Sequence, residues 1–581
     1  MPSNSGYSAE PYGTAGPTGG RTPVEHTGGH PVEHTGGHPS GGRTPVERVP
    51  VLVVGAGYAG LSAAALLAWR GVPVLLAERH AGTSVQPKAF GVNQRAMELL
   101  RPVPGLERAL VEIAEGVGDG GMRIAIASSL SDPEPQMIFN TREGDYDFLA
   151  GVTPVPTVGA PQAQVERALR AAAEELGADL RFSTELVSLE QDADGVTALL
   201  RDLATGVETR VRADYLVAAD GHRSPVRELL GIPVTGRGEL GRLYSIMFDA
   251  DLTGLAPDRE VTLWYLRNET FSGVIVTGTG VGSHVLGVNY DPAAGQSEAD
   301  FTDERCVELV RRATGLPGLE VKLLDRTAFA MAHVLAGRYR QGRVFLAGDA
   351  AHTMPPTGGQ GGSTALQDGC DLAWRLWLVI SGQAGEGLLD TYDAERRPIG
   401  ALTADAQLAN LAVRMPPAAR ADYPEPLADP FAAILGYRYH SAAVVAEADD
   451  DGSLLEDPRE PTGRPGSRAP HVALEREGGP ISTHDLFGSG FVLLTGADGG
   501  EWARAAAAVA DRLGVRLTPY RIGGDLTDPA GVWERRYGVR ADGAVLVRPD
   551  GYVAWRSREA AGDPEGALEG VLTRVLARPA H

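Results

Sequence analysis

Val51-Leu52-Val53-Val54-Gly55-Ala56-Gly57-Tyr58-Ala59-Gly60 is the stretch that decides how the rest of the chain is read. Four consecutive apolar, mostly β-branched residues are what a parallel strand buried on both faces requires. The glycines at 55, 57 and 60 then fall between that strand and a helical pattern running from Leu61 to Arg70, with Gly71 suited to its C-terminal cap. A second buried strand, Val74-Leu75-Leu76-Ala77, ends at Glu78. Strand, helix and strand in this order form a βαβ unit. Within it Gly55 permits the tight turn, Gly57 admits a pyrophosphate close to the backbone, and Gly60 lets helix and strand touch. The helix N-terminus offers unpaired N–H groups and a partial positive charge, and Glu78 is placed to accept from a ribose. The fold class is therefore α/β, with a Rossmann-type nucleotide-binding domain. The triplet alone does not say which dinucleotide.

Outward from this unit, the 48 residues before Val49 are rich in Gly, Pro, Ser, Thr and His and carry a tandem PVEHTGGH at 23–30 and 31–38. With almost no large apolar residues, this leader cannot bury enough surface to offset chain entropy and is expected to be disordered. Its repeat sets His26, His30, His34 and His38 four apart, but glycine pairs and prolines oppose the helix that would align them, so no metal site is read. The whole chain of 581 residues exceeds one core and implies several domains. Its formal charge of −22 disfavours nucleic acid as a partner. Cys306 and Cys370 cannot build a disulfide framework, no apolar run is long enough for a bilayer, and the N-terminus lacks an apolar signal core. A cytoplasmic protein with no membrane contact is expected.

Further along, Gln164 to Leu176 reads as a helix and Val187 to Arg210 as a hairpin around Asp194-Gly195. Residues 240–325 are strand-rich, with Trp264 and Tyr265 in an aromatic run. A third buried strand, Val344-Phe345-Leu346-Ala347, leads into Gly348-Asp349-Ala350-Ala351-His352, then Pro355-Pro356 and Gly358-Gly359-Gln360-Gly361-Gly362, with a helix expected near Thr364. This second glycine-rich loop feeds a second helix N-terminus able to stabilise negative charge, and Asp349 could hold a sugar-alcohol hydroxyl. Cys370 falls on the apolar face of that helix and reads as core. A third element, Asp220-Gly221-x-x-Ser224-x-Val226-Arg227, follows the strand Tyr215-Leu216-Val217-Ala218. Two glycine loops far apart in the chain suit one long, bent dinucleotide such as FAD. Beyond 400 come a helical stretch and a Pro- and Asp-rich segment. A strand at 491–495, a helix at 501–513, a hairpin at 543–555 turning at Pro549-Asp550-Gly551, and a helix at 564–576 then suggest a separate small domain.

Taken in order, the three elements and the closing Tyr392-x-x-Glu395-Arg396-Arg397-Pro398 resemble the flavoprotein aromatic hydroxylases, the para-hydroxybenzoate hydroxylase type, over residues 49–400. The extension is similar to that of bacterial aromatic polyketide hydroxylases, which is thioredoxin-like; without a Cys-x-x-Cys it implies structural or homodimer support instead of thiol chemistry. The resemblance implies an FAD domain at 49–230 and 326–400, an inserted β-rich substrate domain at 231–325, a helical linker at 401–460 and a thioredoxin-like domain at 461–581. It implies FAD contacts from Gly55, Gly57, Gly60, Glu78, Asp220, Asp349 and Gly361. Lys88, where the family usually has Arg, faces the FAD phosphates, and Gln162 touches the flavin side. Arg-to-Lys keeps the charge and loses the bidentate fork.

The activity so implied is an FAD monooxygenase that takes electrons from NADPH or NADH and, through a flavin C4a-hydroperoxide, transfers one oxygen of O2 to an aromatic, polyketide-type molecule. No catalytic acid or base is identified; His333 and His352 read as structural. An antibiotic-inactivating or Baeyer–Villiger-type monooxygenase could use the same scaffold, as could a non-catalytic flavin carrier. A halogenase needs a Trp-x-Trp-x-Ile-Pro stretch, which is absent.

Overall fold

The computed structural model describes residues 46–84, 89–117, 121–144, 146–255, 260–278, 283–415 and 420–579. The histidine repeat and Lys88 lie outside these residues. Glu47–Val54 is the strand expected from the opening motif, and Val51, Leu52 and Val53 are fully buried. It sits between two parallel neighbours, Glu208–Ala218 and Val74–Ala77, in a sheet that continues to Val344–Leu346 on one side and Asp179–Arg181 on the other. The hairpin Thr184–Asp192 and Gly195–Asp202 extends this sheet off its main path. Burial on both faces explains why the strands carry no alternation.

Helix α1 (Tyr58–Trp69) is buried along nearly its whole length, so it has no polar face to read. It starts before the expected Leu61, because Tyr58, Ala59 and Gly60 already form its first turn. Against it lies the long helix Gly361–Ile380 (called α6 below, after α2 Gln94–Leu100, α3 Gln162–Glu175, α4 Pro225–Leu229 and α5 Asp303–Thr314). The two helices approach through small residues. A Cβ on Gly369 would stand 2.3 Å from both the Ala59 carbonyl and Ser62 Oγ, and Ser62 Oγ donates to the Leu366 carbonyl at 3.2 Å.

A second eight-stranded sheet runs in the order His352–Thr353, Lys322–Ala336, Val234–Asp249, His284–Tyr290, Ser272–Thr277, Glu260–Arg267, Gly121–Ala127 and Gln136–Asn140. The last two strands correct the expected start of this region at residue 231. Gly121–Ala127 pairs in parallel with Glu260–Arg267 across about 140 positions of chain, a contact that no local pattern encodes. Period-two alternation divides the sheet into two faces. Ile246, Phe248, Trp264, Leu266, Ile275 and Leu286 face α5 and form a closed core. Leu243, Leu263, Tyr265, Val274, Val276 and Val285 alternate with them on the other face and are only half-buried.

The boundary expected at residue 400 falls inside one continuous helix, α7 (Asp390–Val413), which runs through Pro398. Toward the C-terminus, Leu517–Arg521, Phe491–Thr495, Ala544–Val547 and Val553–Ser557 form a four-stranded mixed sheet, with helices at Gly500–Leu513 and Pro564–Val575. An ion-pair network ties this sheet to α2, α6 and α7. Glu395 accepts from Arg548 at 2.6 and 2.8 Å and also from Arg375, and all three side chains are fully buried. Arg468 bonds Glu98, whose second partner is Arg95. The carboxylates of Asp371, Glu395 and Asp550 come within 4.8 Å of one another, a spacing a cation could bridge, but Arg375 and Arg548 already fill that part.

Removing one member of a buried ion pair strands the rest. Glu395→Ala is therefore expected to cost about 3–5 kcal/mol, read as a lowered unfolding midpoint in urea. The same junction carries a pH term. His484 Nε2 donates to the Ala469 carbonyl at 2.9 Å, and burial pushes its pKa down to about 3, with Glu98 opposing. An unfolded histidine titrates at about 6.5, so between these values only the unfolded chain takes up the proton, and stability falls as pH falls. Melting curves at pH 7 and pH 5 should diverge less for His484→Gln than for the wild type.

Candidate functional site

The three motifs meet at the carboxyl ends of the first sheet. Gly55 has φ +105°, and a Cβ there would stand 2.2 Å from the Ala219 carbonyl. A Cβ on Gly60 would stand 1.9 Å from the Gly55 carbonyl. Both glycines are thus demanded by packing. Gly57 is different: a Cβ on it would meet nothing within 4 Å, so its backbone faces open space at the N-terminus of α1. Glu78 straps this turn, accepting from the Ala56 N–H at 2.8 Å through one oxygen and from the His80 N–H at 2.8 Å through the other.

Asp220 follows the neighbouring strand, and its carboxylate is also committed. It accepts from Ser224 Oγ at 2.7 Å and from the Val226 N–H at 3.0 Å, holding the start of α4. Burial raises its pKa above the usual carboxylate range, with these bonds opposing. Arg227 of α4 donates to the Ala350 carbonyl at 2.9 Å and so joins this element to the next. There Gly348 takes φ +61°, and its N–H donates to Asp368 Oδ2 at 3.0 Å. Asp368 is fully buried and also bonds His352 Nε2 at 2.7 Å and Arg396 Nε at 2.8 Å. His352 therefore supports the turn. The residue it presents is Asp349, which is exposed and unpaired among the described residues. His333, the other histidine considered, is buried and lies 3.2 Å from Asp405.

Gly361 opens α6, three residues before the expected Thr364. A Cβ on Gly362 would come within 2.9 Å of the Tyr58 ring, which belongs to the first turn of α1. The N-termini of α1 and α6 therefore converge. Gln162 lies beside them at the start of α3: its N–H donates to the Ala89 carbonyl at 3.0 Å, and its side chain donates to Glu166 at 2.7 Å. Reading the sequence missed Asn93, which caps α2 through the Ala96 N–H, donates to Gln360 Oε1 at 2.8 Å and accepts Gln367. An Asn directly before a helical pattern was the available signal. Also missed was the way Gly358 fits beneath α7, where a Cβ would meet Gln407 Oε1 at 2.2 Å and Asn410 Nδ2 at 2.9 Å.

Of the two aromatic residues singled out in the second sheet, Trp264 belongs to the closed core, whereas Tyr265 lies on the open face. The Arg414 guanidinium, just past the end of α7, covers the Tyr265 ring at 4.6 Å. Two anion-receptive helix ends and a wide apolar wall thus share one neighbourhood, and the same helix, α7, touches the glycine loop and ends against that wall.

Comparison with known proteins agrees with this geometry. Residues 48–407 match the FAD binding domain family, and residues 462–579 match the aromatic-ring hydroxylase C-terminal family. The 4-methyl-5-nitrocatechol 5-monooxygenase of a Burkholderia species is 44% identical over 92% of this chain and 98% of its own. Aklavinone 12-hydroxylase of Streptomyces purpurascens is 44% identical over 92% of this chain and 99% of its own. Among solved structures, aklavinone-11 hydroxylase in complex with FAD and aklavinone aligns with a TM-score of 0.85 at 44% identity, over 92% of this chain and all of that one.

The glycine geometry separates two variants. Gly60→Ala is expected to lower the melting temperature of the ligand-free protein, since its methyl meets backbone, whereas Gly57→Ala should leave that temperature unchanged. Equal destabilisation by both would contradict the open position of Gly57.

Proposed function

The chain belongs to the FAD-binding aromatic-ring hydroxylases and is an FAD-dependent monooxygenase, and we propose that it hydroxylates a planar, polyketide-type aromatic molecule with O2 and NADPH or NADH. One observation carries the reading: two helix N-termini converge beside a half-buried apolar sheet face. Relatives named for aklavinone support the substrate class.

The residues present suit FAD. Gly57 leaves room where a phosphate must approach the backbone, and the free N–H groups at the start of α1 would hold it. Glu78 Oε1 is taken by the His80 N–H and ring, and Oε2, which holds only the Ala56 N–H, keeps a lone pair for a ribose hydroxyl. Asp349, exposed and unpaired among the described residues, would hold the ribityl chain, and Gly361 at the head of α6 would face negative charge on the isoalloxazine. Asp220 acts from behind, keeping α4 and the Ala350 carbonyl in place. When bound, FAD carries electrons from the nicotinamide and delivers the activated oxygen. The protein's part is to orient the ring and exclude water, and the apolar face of Leu243, Leu263 and Val274 serves both. Residues 461–581 are read as a thioredoxin-like support that acts through its buried ion pairs, with no thiol part.

The test is made on the FAD-loaded protein. Hydroxylated anthraquinones and naphthacenequinones should accelerate NAD(P)H oxidation, and under labelled O2 the product should gain one labelled oxygen. Gly57→Ala should bind FAD at least about tenfold more weakly, as for the loss of one good phosphate contact. Failure of every such quinone to accelerate NAD(P)H oxidation would sink the polyketide reading.

A further inference from the structure

The head of α6 is held from the C-terminal side as well as by α1, and hydroxyl groups make the hold. Tyr437 and Tyr439 lie between α7 and the C-terminal sheet, and both are buried. Their rings pack against that of Tyr552 at 5.7 and 4.2 Å, and the Arg548 guanidinium lies over Tyr439 at 5.3 Å. Arg548 and Tyr552 flank the turn that joins Ala544–Val547 to Val553–Ser557. The two rings therefore belong to the junction with the C-terminal sheet, while their hydroxyls bond toward α6.

Each hydroxyl opens its own route. Tyr437 donates to Gln367 Oε1 at 3.1 Å; Gln367 donates to Asn93 Oδ1 at 3.4 Å, and Asn93 to Gln360 Oε1 at 2.8 Å, directly before Gly361. Tyr439 accepts from Arg396 at 3.1 Å, and the same guanidinium donates to the Thr364 carbonyl in the first turn of α6 at 3.3 Å and to Asp368 at 2.8 Å. Asp368 in turn accepts from the Gly348 N–H at 3.0 Å, in the turn that presents Asp349. Tyr437, Tyr439, Gln367, Asn93, Arg396 and Asp368 are all buried. Phenylalanine would fill the space of either tyrosine with no polar atom to satisfy, so packing does not call for these hydroxyls. What they reach are the two ends of the segment 348–361.

We propose that Tyr437 and Tyr439 are positioning residues for FAD: they carry the docking of the C-terminal sheet to the Gly348 turn and to the head of α6, so that this domain sets how tightly the flavin half of the cofactor is held. This rests on the reading above that Asp349 and Gly361 serve that half. Members of a buried hydrogen-bond network depend on one another, so loss of one hydroxyl loosens the end of the segment it serves. The first glycine turn, at Gly55 to Gly60, lies on neither route and keeps its grip on the adenosine half. By linkage the effect is reciprocal: FAD tightens the tyrosine junction by the factor by which the junction tightens FAD.

The probes are FAD, followed by flavin fluorescence, and ADP, which carries only the adenosine half and is followed by its competition with FAD. Both are titrated against the full-length, flavin-free wild type, Tyr437→Phe, Tyr439→Phe and Tyr537→Phe. Tyr537 is the control: its hydroxyl is also buried and donates to the Pro470 carbonyl at 2.8 Å, a bond inside the C-terminal domain. Tyr437→Phe and Tyr439→Phe should each weaken FAD about fivefold, as for one lost hydrogen bond, and leave ADP unchanged. Tyr537→Phe should lower the urea midpoint and leave both affinities unchanged. If either of the first two variants leaves FAD affinity unchanged, or weakens ADP equally, or if Tyr537→Phe weakens FAD as much, the tyrosines serve only the fold. The inference then fails while the assignment of Asp349 and Gly361 stands. If the wild type holds FAD no more tightly than ADP, that assignment fails and takes the inference with it.

Discussion

The contact on which the rest of the structure depends is the close approach of α1 and α6. Ordinary side chains keep helix axes apart by 8–10 Å, but here Ala59, Ser62 and Gly369 meet almost backbone to backbone. The consequence is positional. Two helices that begin 303 residues apart, at Tyr58 and Gly361, place their N-termini side by side at the end of the same sheet. Each N-terminus carries a few unpaired N–H groups and a fractional charge that alone would hold an anion weakly. Brought together, they can serve two ends of one folded dinucleotide. A single methyl on Gly369 would push the helices apart and separate the two ends.

Around this contact the protein spends carboxylates on holding loops as well as on meeting ligand. Glu78 holds the first glycine turn, Asp220 the start of α4, and Asp368 the Gly348 turn. Asp368 shows why such groups are buried with arginine: Arg396 and His352 together fill its oxygens and keep it ionised where burial alone would protonate it. The same logic joins the C-terminal sheet to the rest. Arg548 lies against Trp374 at 5.1 Å and Tyr439 at 5.3 Å while bonding Glu395 and Asp550. Lysine could supply the charge, but not the planar fork or the flat face.

Sequence reading recovered what is local. The buried strand at Val51, the turn glycines, the hairpin at Pro549-Asp550-Gly551 and the helix at Pro564 all declare themselves within about ten residues, because propensity and turn chemistry act over that range. Legibility was lost wherever a partner lay far away. Nothing in Gly121–Ala127 says that it pairs with Glu260–Arg267, and nothing in Arg468 says that it meets Glu98 370 residues earlier. The likeness of two motifs also hid their division of labour. Asp220 and Asp349 read alike as Asp beside Gly, yet one is tied into a helix cap and the other stands exposed.

That division extends to charge. A net charge of −22 repels anions at long range, but the field falls off within about 10 Å at ordinary ionic strength, and a pocket is governed by the charges that line it. Around the Tyr265 face those charges are arginines left without carboxylates among the described residues. An acidic surface that carries a half-buried apolar sheet face beside arginines treats large and small anions differently. Polyanions such as nucleic acid meet repulsion over the whole surface, while a small molecule is governed by the few residues that it touches.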